Sequence, residues 1–323
     1  MTNYLHKVLP PQYSHVNKVY CLLAATVFCA LPLCSTEAAA ENILKYDGTT
    51  NIHGNAKTWA AKNEYDGIDI RVTGVDGGYY TDTTEALVLN NQTLNVKGKG
   101  KFVSIINTAQ NKQIDNNGGI YAKGGSTVNF TDVDSIYIAA IAGKEGGNDS
   151  TVISAKDPGR DFKGYTNIVN ISGNTVQLIG SIDVMHSLGS VFFNRNARHT
   201  VNAALSGSDS FWYGSAIGET DERTTVNLSL ADGATWIFNA GKSTLNAGGI
   251  IRNLKLDKGV VLFADAEVWE TYRRTVIKGT DYVLANYRDH NERYSQVEIR
   301  SLTGPGGIFK MDLDWQSNNG ERQ

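Results

Sequence analysis

The chain alternates short apolar runs with turn-forming residues along most of its length. The clearest series runs from Thr224 to Asp314, where each apolar run stops at Gly, Asp or Asn. Strands of about four to six residues separated by turns, with little helix between them, are typical of a sheet that coils on itself and stacks successive turns. We therefore predict an all-β fold, a solenoid of parallel strands.

A second regularity is an apolar residue followed by asparagine, which recurs at intervals of about 20 to 40 residues. The pairs are Leu94-Asn95, Val128-Asn129, Val169-Asn170, Val201-Asn202, Val226-Asn227 and Leu245-Asn246. Unequal spacing suits a solenoid whose turns carry loops of different length. At about 20 to 25 residues per turn we expect roughly a dozen turns. The asparagines are expected either to stack in ladders at the corners or to face outward in ordinary turns.

Two regions depart from this rhythm. Residues 142–150 and 157–161 combine Gly, Asp and charged residues with few apolar ones, which predicts one or two long surface loops. Such loops are either recognition elements on a rigid scaffold or tolerated insertions. The best candidate for helix is 265–274, which is expected to form a short helical turn or an extended loop.

The first forty residues have the order of an export signal. Lys7 and Lys18 precede the apolar run 19–33, and Ala38–Ala40 provides small residues for cleavage. We predict a signal peptide over 1–40. A retained anchor is less favoured, because the run is shorter than the roughly 20 residues of a spanning helix. A lipid site at Cys34 would also require a small residue before the cysteine, where Leu33 stands.

Cysteine usage agrees with export. Cys21, Cys29 and Cys34 all lie in the leader, so the predicted mature chain, which starts at Glu41, contains none. An exported protein has the opportunity to form disulfides. Their absence indicates a chain that stays uncrosslinked while it crosses a second barrier, or a solenoid whose continuous core needs no covalent links.

The search for chemistry gives little. The net charge of −3 offers no basic field for nucleic acid. No nucleophile-elbow or paired-histidine zinc motif occurs, and the histidines of the predicted mature chain are far apart in sequence. These histidines are His53, His186, His199 and His290. No catalytic residue, metal ligand or cofactor is predicted.

Paired carboxylates are the one enzyme-like feature. Asp132-Val133-Asp134 places two carboxylates on one face of a strand, and Asp312-Leu313-Asp314 has the same form. Such pairs could hold calcium or act as an acid pair on a polysaccharide, with Arg273-Arg274 and Arg288 contacting acidic sugars. Solvated surface positions are the alternative interpretation.

The C-terminal third resembles a known family. Its pattern is Gly-Ala-Thr-Trp at 233–236, then Asn-Leu-x-Leu at 253–256, then Leu-x-Gly-x-Gly-Gly-x-Phe at 302–309. In this order the pieces resemble the C-terminal part of pertactin-like autotransporter passengers. The resemblance implies a right-handed parallel β-helix that is exported and reaches the surface of a Gram-negative cell through a C-terminal β-barrel. It implies no catalytic residue at the matched positions.

The resemblance divides the chain into a signal peptide (1–40), a β-helix with surface loops (41–223) and a pertactin-like folding-core segment (224–323). No barrel of alternating strands follows Asp314 in the sequence given. Trp236 is expected to pack in the core, and the Gly304–Gly307 cluster is expected to form a tight turn before the strand Ile308–Met311.

The function that we expect is that of a non-catalytic adhesin or interaction scaffold at the cell surface, outer membrane or outside the cell. If no barrel is supplied, we expect it in the periplasm. Expected partners are host surface receptors, glycans or neighbouring cells. Two alternatives stay open: a β-helical polysaccharide-degrading enzyme, and a truncated autotransporter fragment without a function of its own.

Overall fold

The computed structural model describes residues 42–50, 62–74, 84–109, 117–141, 151–156, 164–184, 196–218, 222–238, 248–263 and 296–310. All of them belong to one compact unit, Glu41–Gln323. These ranges form 17 strands and no helix. The leader, the predicted loops at 142–150 and 157–161, and the helix candidate at 265–274 lie outside the described residues.

The strands are numbered in chain order. In order they are β1 (Ile43–Thr50), β2 (Gly67–Gly74), β3 (Thr84–Asn90), β4 (Thr93–Lys97), β5 (Phe102–Ala109), β6 (Asn117–Lys123), β7 (Thr127–Ile141), β8 (Thr151–Ala155), β9 (Thr166–Ile179), β10 (Ser181–Asp183), β11 (Arg198–Ser206), β12 (Phe211–Gly214), β13 (Ala216–Ile217), β14 (Thr224–Ala231), β15 (Thr235–Phe238), β16 (Gly248–Phe263) and β17 (Gln296–Lys310).

The strands form a 12-stranded sheet and a 5-stranded sheet. The larger has the order β1-β2-β5-β7-β9-β11-β14-β16-β15-β12, with β4 added on β7 and β17 on β16; the smaller has the order β13-β10-β8-β6-β3. Each pairing is parallel. The chain therefore leaves a sheet and returns to it in the same direction. The prediction of an all-β fold with parallel strands is confirmed, and the arrangement is consistent with a solenoid.

Several strands are longer than predicted. β7, β9, β16 and β17 have 14 to 16 residues, not four to six. The first part of β9 pairs with β11 and its last part with β12, so one bent strand serves two neighbouring pairings. In β7 the bend coincides with a positive φ of 58° at Asp132 and a register shift between Phe130 and Val133. Bulges of this kind turn a strand without ending it.

The Gly304–Gly307 cluster is also a bend, so its prediction as a tight turn before a new strand is wrong. β17 runs through it and stays paired with β16 on both sides. Gly304 and Gly306 have φ values of 106° and 138°, which favour glycine. A Cβ on Gly304 would also collide with the carbonyl oxygen of Leu256.

The core lies between the two sheets and is built from aligned apolar columns. Val128, Val169, Val201 and Val226 occupy matching positions on β7, β9, β11 and β14, and each is at most 1 % exposed. Each of these valines precedes an asparagine in sequence. Because side chains alternate across a strand, the asparagines point to the opposite, outward face.

Candidate functional site

A column of asparagines runs across the outward face of the larger sheet. From the second member onward, each Nδ2 donates a hydrogen bond to the Oδ1 of the asparagine on the preceding strand of the column. The bonds are Asn129 to Asn95 (2.9 Å), Asn170 to Asn129 (2.7 Å), Asn202 to Asn170 (2.7 Å), Asn227 to Asn202 (2.7 Å) and Asn253 to Asn227 (2.6 Å). We call these six residues the asparagine ladder.

The ladder matches one of the two placements expected from the sequence, with two corrections. The asparagines stack, but they do so within β4, β7, β9, β11, β14 and β16 and not at corners. Asn253 takes the sixth position, whereas Asn246 lies outside the described residues. Asn253 was missed as a ladder member because it follows Arg252, not an apolar residue.

The ladder also measures the length of each turn. Bonded asparagines are 34, 41, 32, 25 and 26 residues apart in sequence. Four of these five spacings exceed the expected 20 to 25 residues per turn. The difference arises because segments of unequal length join the strands of successive turns.

A groove of about 320 Å³ lies along the ladder. Its walls include Asn170, Asn202, Asn227 and Asn253, and the neighbouring outward column of Ser172, Ala204, Ser229 and Lys255. These two columns are aligned by the strand register, two residues apart along each strand. Ala204 has the smallest side chain of its column and is exposed, so it leaves room in the middle of the groove. The groove can receive an elongated ligand or a protein segment.

The pair Asp132 and Asp134 lies on the outer face of β7, as predicted, with both residues exposed. The carboxylate of Asp134 is already hydrogen-bonded within the protein. Its carboxylate accepts hydrogen bonds from the Gly100 backbone N–H (3.0 Å) and from Asn174 Nδ2 (3.4 Å). The Asp132 backbone N–H donates to Ser172 Oγ at 3.3 Å. These contacts connect neighbouring turns, which is a structural use of the pair.

Of the four histidines of the predicted mature chain, only His199 is described, and it is fully buried. Its Nδ1 lies 3.2 Å from Nδ2 of Asn167, whose Oδ1 accepts from the backbone N–H groups of Gly125 and Ser126. His199 therefore belongs to a buried polar column that holds a corner. No group of three or more His, Cys, Asp or Glu suited to a metal occurs in the described ranges.

His53, His186, His290, Arg273-Arg274, Arg288 and the Asp312-Leu313-Asp314 pair lie outside the described residues. Within the part of the chain that the structure describes, no helix is long and apolar enough to cross a membrane.

One partly buried ion pair could not be predicted from the sequence. Asp183 is 6 % exposed and accepts a hydrogen bond from Lys156 Nζ at 2.5 Å. The two residues are 27 positions apart, and only the pairing of β8 with β10 brings them together. The pair joins the C-terminal ends of two neighbouring interior strands of the smaller sheet.

Trp236 packs in the core, as predicted. It is fully buried and its Nε1 donates to the Gly214 carbonyl oxygen at 3.0 Å. On the other face of the same sheet region is a second apolar cluster that includes Phe211, Tyr213 and Ile237. Tyr137 packs against that cluster, and its burial raises the pKa of the phenol above the ordinary value.

Comparisons with family models, with characterised proteins and with solved structures found no match to this chain.

Proposed function

We propose that the protein is the exported passenger of a pertactin-like autotransporter, folded as a right-handed parallel β-helix, and that it acts as a non-catalytic adhesin or interaction scaffold at the cell surface. The observation that carries this proposal is the continuous outward face of the larger sheet, where the asparagine ladder and the groove beside it extend over successive turns. A face built by repetition offers a long contact surface on a rigid support.

The family part of the proposal rests on the resemblance in the C-terminal third. Its three pieces lie next to one another in the fold. Gly233–Trp236 leads into β15, Asn253–Leu256 lies in β16, and Leu302–Phe309 lies in β17. β15 pairs with β16, and β16 pairs with β17. Pieces that are separated in sequence therefore form one continuous block, which supports treating them as a single folding segment.

The choice of scaffold over enzyme rests on how the polar residues are used. Ladder amides bond to one another, Asp134 bonds to Gly100 and Asn174, and the Lys156–Asp183 pair connects two strands. Each of these groups holds neighbouring turns together. A binding face made of amides, hydroxyls and Lys255 suits recognition better than proton transfer.

The first experiment tests export. The full chain is expressed in a Gram-negative host, the cells are fractionated, and the exported protein is examined by mass spectrometry. We expect a mature chain starting at Glu41, and we expect a variant lacking 2–40 to stay in the cytoplasm. An uncleaved chain in the cytoplasm would contradict the export part of the proposal.

The second experiment tests adhesion. Beads coated with the exported protein are counted on host cells and on bacterial cells, and the matched variant is Ala204→Arg, which fills the groove without touching the core. We expect the wild-type protein to bind and the variant to bind several-fold less. Release of sugars from a panel of polysaccharides, without cell binding, would favour the enzyme alternative.

A further inference from the structure

The amides of the asparagine ladder do not use all of their hydrogen-bonding capacity. A primary amide has two N–H donors and an oxygen with two lone pairs. Asn170, Asn202 and Asn227 each use one donor and one lone pair within the ladder. They make no other hydrogen bond in the described part of the chain. Each of these three amides therefore keeps one donor and one acceptor for a ligand.

The second column of the groove adds hydroxyl groups to this pattern. Thr131 and Ser229 line the groove, and their hydroxyls make no hydrogen bond within the described ranges. The apolar residues between the two columns, Ile171, Ala203 and Leu228, are at most 3 % exposed, so they offer a ligand little apolar surface. A ligand in the groove thus meets donors and acceptors that repeat from strand to strand, about every 4.8 Å.

The lining of the groove is almost without charge. Among the described residues that line it, Lys255 at one end is the charged side chain, and no carboxylate is present. A polyanion such as nucleic acid or an acidic polysaccharide requires several cations along its path. A cationic ligand would require carboxylates in their place. The lining therefore fits an uncharged ligand.

The common ways of binding a peptide need features that this groove lacks. Strand addition needs a free sheet edge, an amphipathic helix needs an apolar groove, and a proline-rich segment needs aromatic side chains. The groove lies on β9, β11, β14 and β16, which are paired on both sides, and no aromatic side chain lines it within the described residues. A ligand rich in hydroxyl groups fits better, because each hydroxyl both donates and accepts a hydrogen bond.

We propose that the groove binds an uncharged, unbranched glycan chain, which crosses the strands and runs along the asparagine ladder. From Asn170 to Asn253 the groove crosses four strands, a length of about 14 Å, which is enough for more than one sugar residue. The sugar hydroxyls bond to the remaining donors and acceptors of the ladder amides and to the Ser229 hydroxyl. This inference rests on the proposed function as a binding scaffold and names the class of ligand.

Calorimetric titration of the purified full chain tests the proposal. The probes are uncharged oligosaccharides of increasing length from glucan, mannan and xylan, and acidic oligogalacturonates of matching length. We expect at least one uncharged series to bind, with an affinity that rises with length until the groove is filled, and the acidic series not to bind. If no uncharged series binds at about 5 mM, where even weak specific sites fill, the proposal is overturned.

Two arginine variants locate the site. Ala204→Arg fills the middle of the groove and is expected to weaken oligosaccharide binding at least tenfold. The matched control Thr93→Arg adds the same charge at an exposed position of β4 outside the groove, and it should change binding less than twofold. Far-UV circular dichroism checks that both variants fold. Equal binding by the two folded variants would overturn the assignment to this groove.

The absence of charge from the ligand is tested separately. Lys255→Ala, and salt raised from about 0.05 to about 0.5 M, should each change binding less than twofold, because screening acts on charged groups. Loss of binding in either measurement would show that Lys255 holds an anionic group, and that result would overturn the assignment to an uncharged glycan.

Target cells distinguish this inference from the adhesin proposal. We expect beads coated with the protein to bind untreated cells and to bind several-fold fewer cells whose surface glycans have been removed enzymatically. Equal binding to both would leave the adhesin proposal standing and overturn the glycan assignment. Binding of oligosaccharides without binding of any cell would support the glycan site and contradict the adhesin proposal.

Discussion

The indole rings of Trp212 and Trp236 stack at a centroid distance of 5.1 Å with an angle of 6° between their planes. They occupy aligned positions on β12 and β15. Each ring N–H donates to a backbone carbonyl, Trp212 to Gly180 at 2.9 Å and Trp236 to Gly214 at 3.0 Å. Two turns of the stack are thus joined by ring contact, strand pairing and a repeated hydrogen bond.

We expect Trp236→Ala to lower the free energy of unfolding by about 3–5 kcal/mol, because it leaves a large cavity in a fully buried site. Urea denaturation measures the loss. Trp236→Phe is the control that keeps an aromatic ring, and it should cost less. A double-mutant cycle with Trp212→Ala should give a coupling of about 0.5–1.5 kcal/mol. Additive single effects would mean that the stack itself contributes nothing.

The asparagine ladder predicts a difference between its middle and its end. Asn202→Ala removes the donor to Asn170 and the acceptor for Asn227, so it should cost about 1–3 kcal/mol in unfolding free energy. Asn253→Ala removes one bond at an exposed position and should cost less than about 1 kcal/mol. The comparison uses urea midpoints of the two variants. Equal losses would contradict a continuous ladder.

The bend in β17 can be tested with two glycines of the same strand. Alanine at Gly306 meets no atom within 4 Å, so its cost is backbone strain alone, about 1–3 kcal/mol. Alanine at Gly304 has comparable strain and also collides with the Leu256 carbonyl oxygen. Hydrogen exchange of β17 amides should therefore accelerate more in Gly304→Ala. Identical behaviour of the two variants would argue against this close approach of strands.

The contacts of Asp66 in the first turns predict that the stability of the folded chain depends on pH. The Asn42 backbone N–H, at 3.0 Å, and the Lys101 side chain, at 3.1 Å, lower the pKa of this carboxyl below its ordinary 3.8. A lowered folded pKa means that the contribution to stability is present above the ordinary value. It is lost as the pH falls through the folded pKa.

As the pH is lowered from about 6 to about 2, the urea midpoint should therefore fall more steeply for the wild-type chain than for Asp66→Asn. Added salt should weaken the part of this stabilisation that comes from the contact with Lys101, because Asp66 is partly exposed. Parallel curves for the two proteins would show that this carboxyl has no role.

Much of the fold could be predicted from the alternation of side chains. The apolar residues before Asn129, Asn170, Asn202 and Asn227 are buried, as period-two patterning requires. The joining of runs into long bent strands could not be predicted, because it depends on positive φ values at residues such as Asp132 and Gly304, where the register with the neighbouring strand shifts. Turn-forming residues give the same sequence pattern whether they end a strand or only bend it.

The sequence predicted most of the residues of the asparagine ladder but not how they are arranged in the fold. The recurring asparagines were visible in sequence, but their stacking within strands depends on the register between turns that are 25 to 41 residues apart. The groove and the Lys156–Asp183 pair arise from the same register. Pairing over such distances has no local sequence signal, and loop lengths that vary from turn to turn conceal the period.

The register of the stacked turns underlies the ladder, the tryptophan stack and the groove, and one cysteine pair tests it directly. In a chain whose leader cysteines are replaced by serine, Asn202→Cys and Asn227→Cys stand on neighbouring parallel strands at aligned positions. Such positions are about 4.8 Å apart, within disulfide reach. Asn202→Cys with Ser229→Cys is offset by two residues, about 8 Å apart, beyond that reach. We predict rapid disulfide formation in the first pair and little in the second; the reverse, or equal yields, would contradict the account.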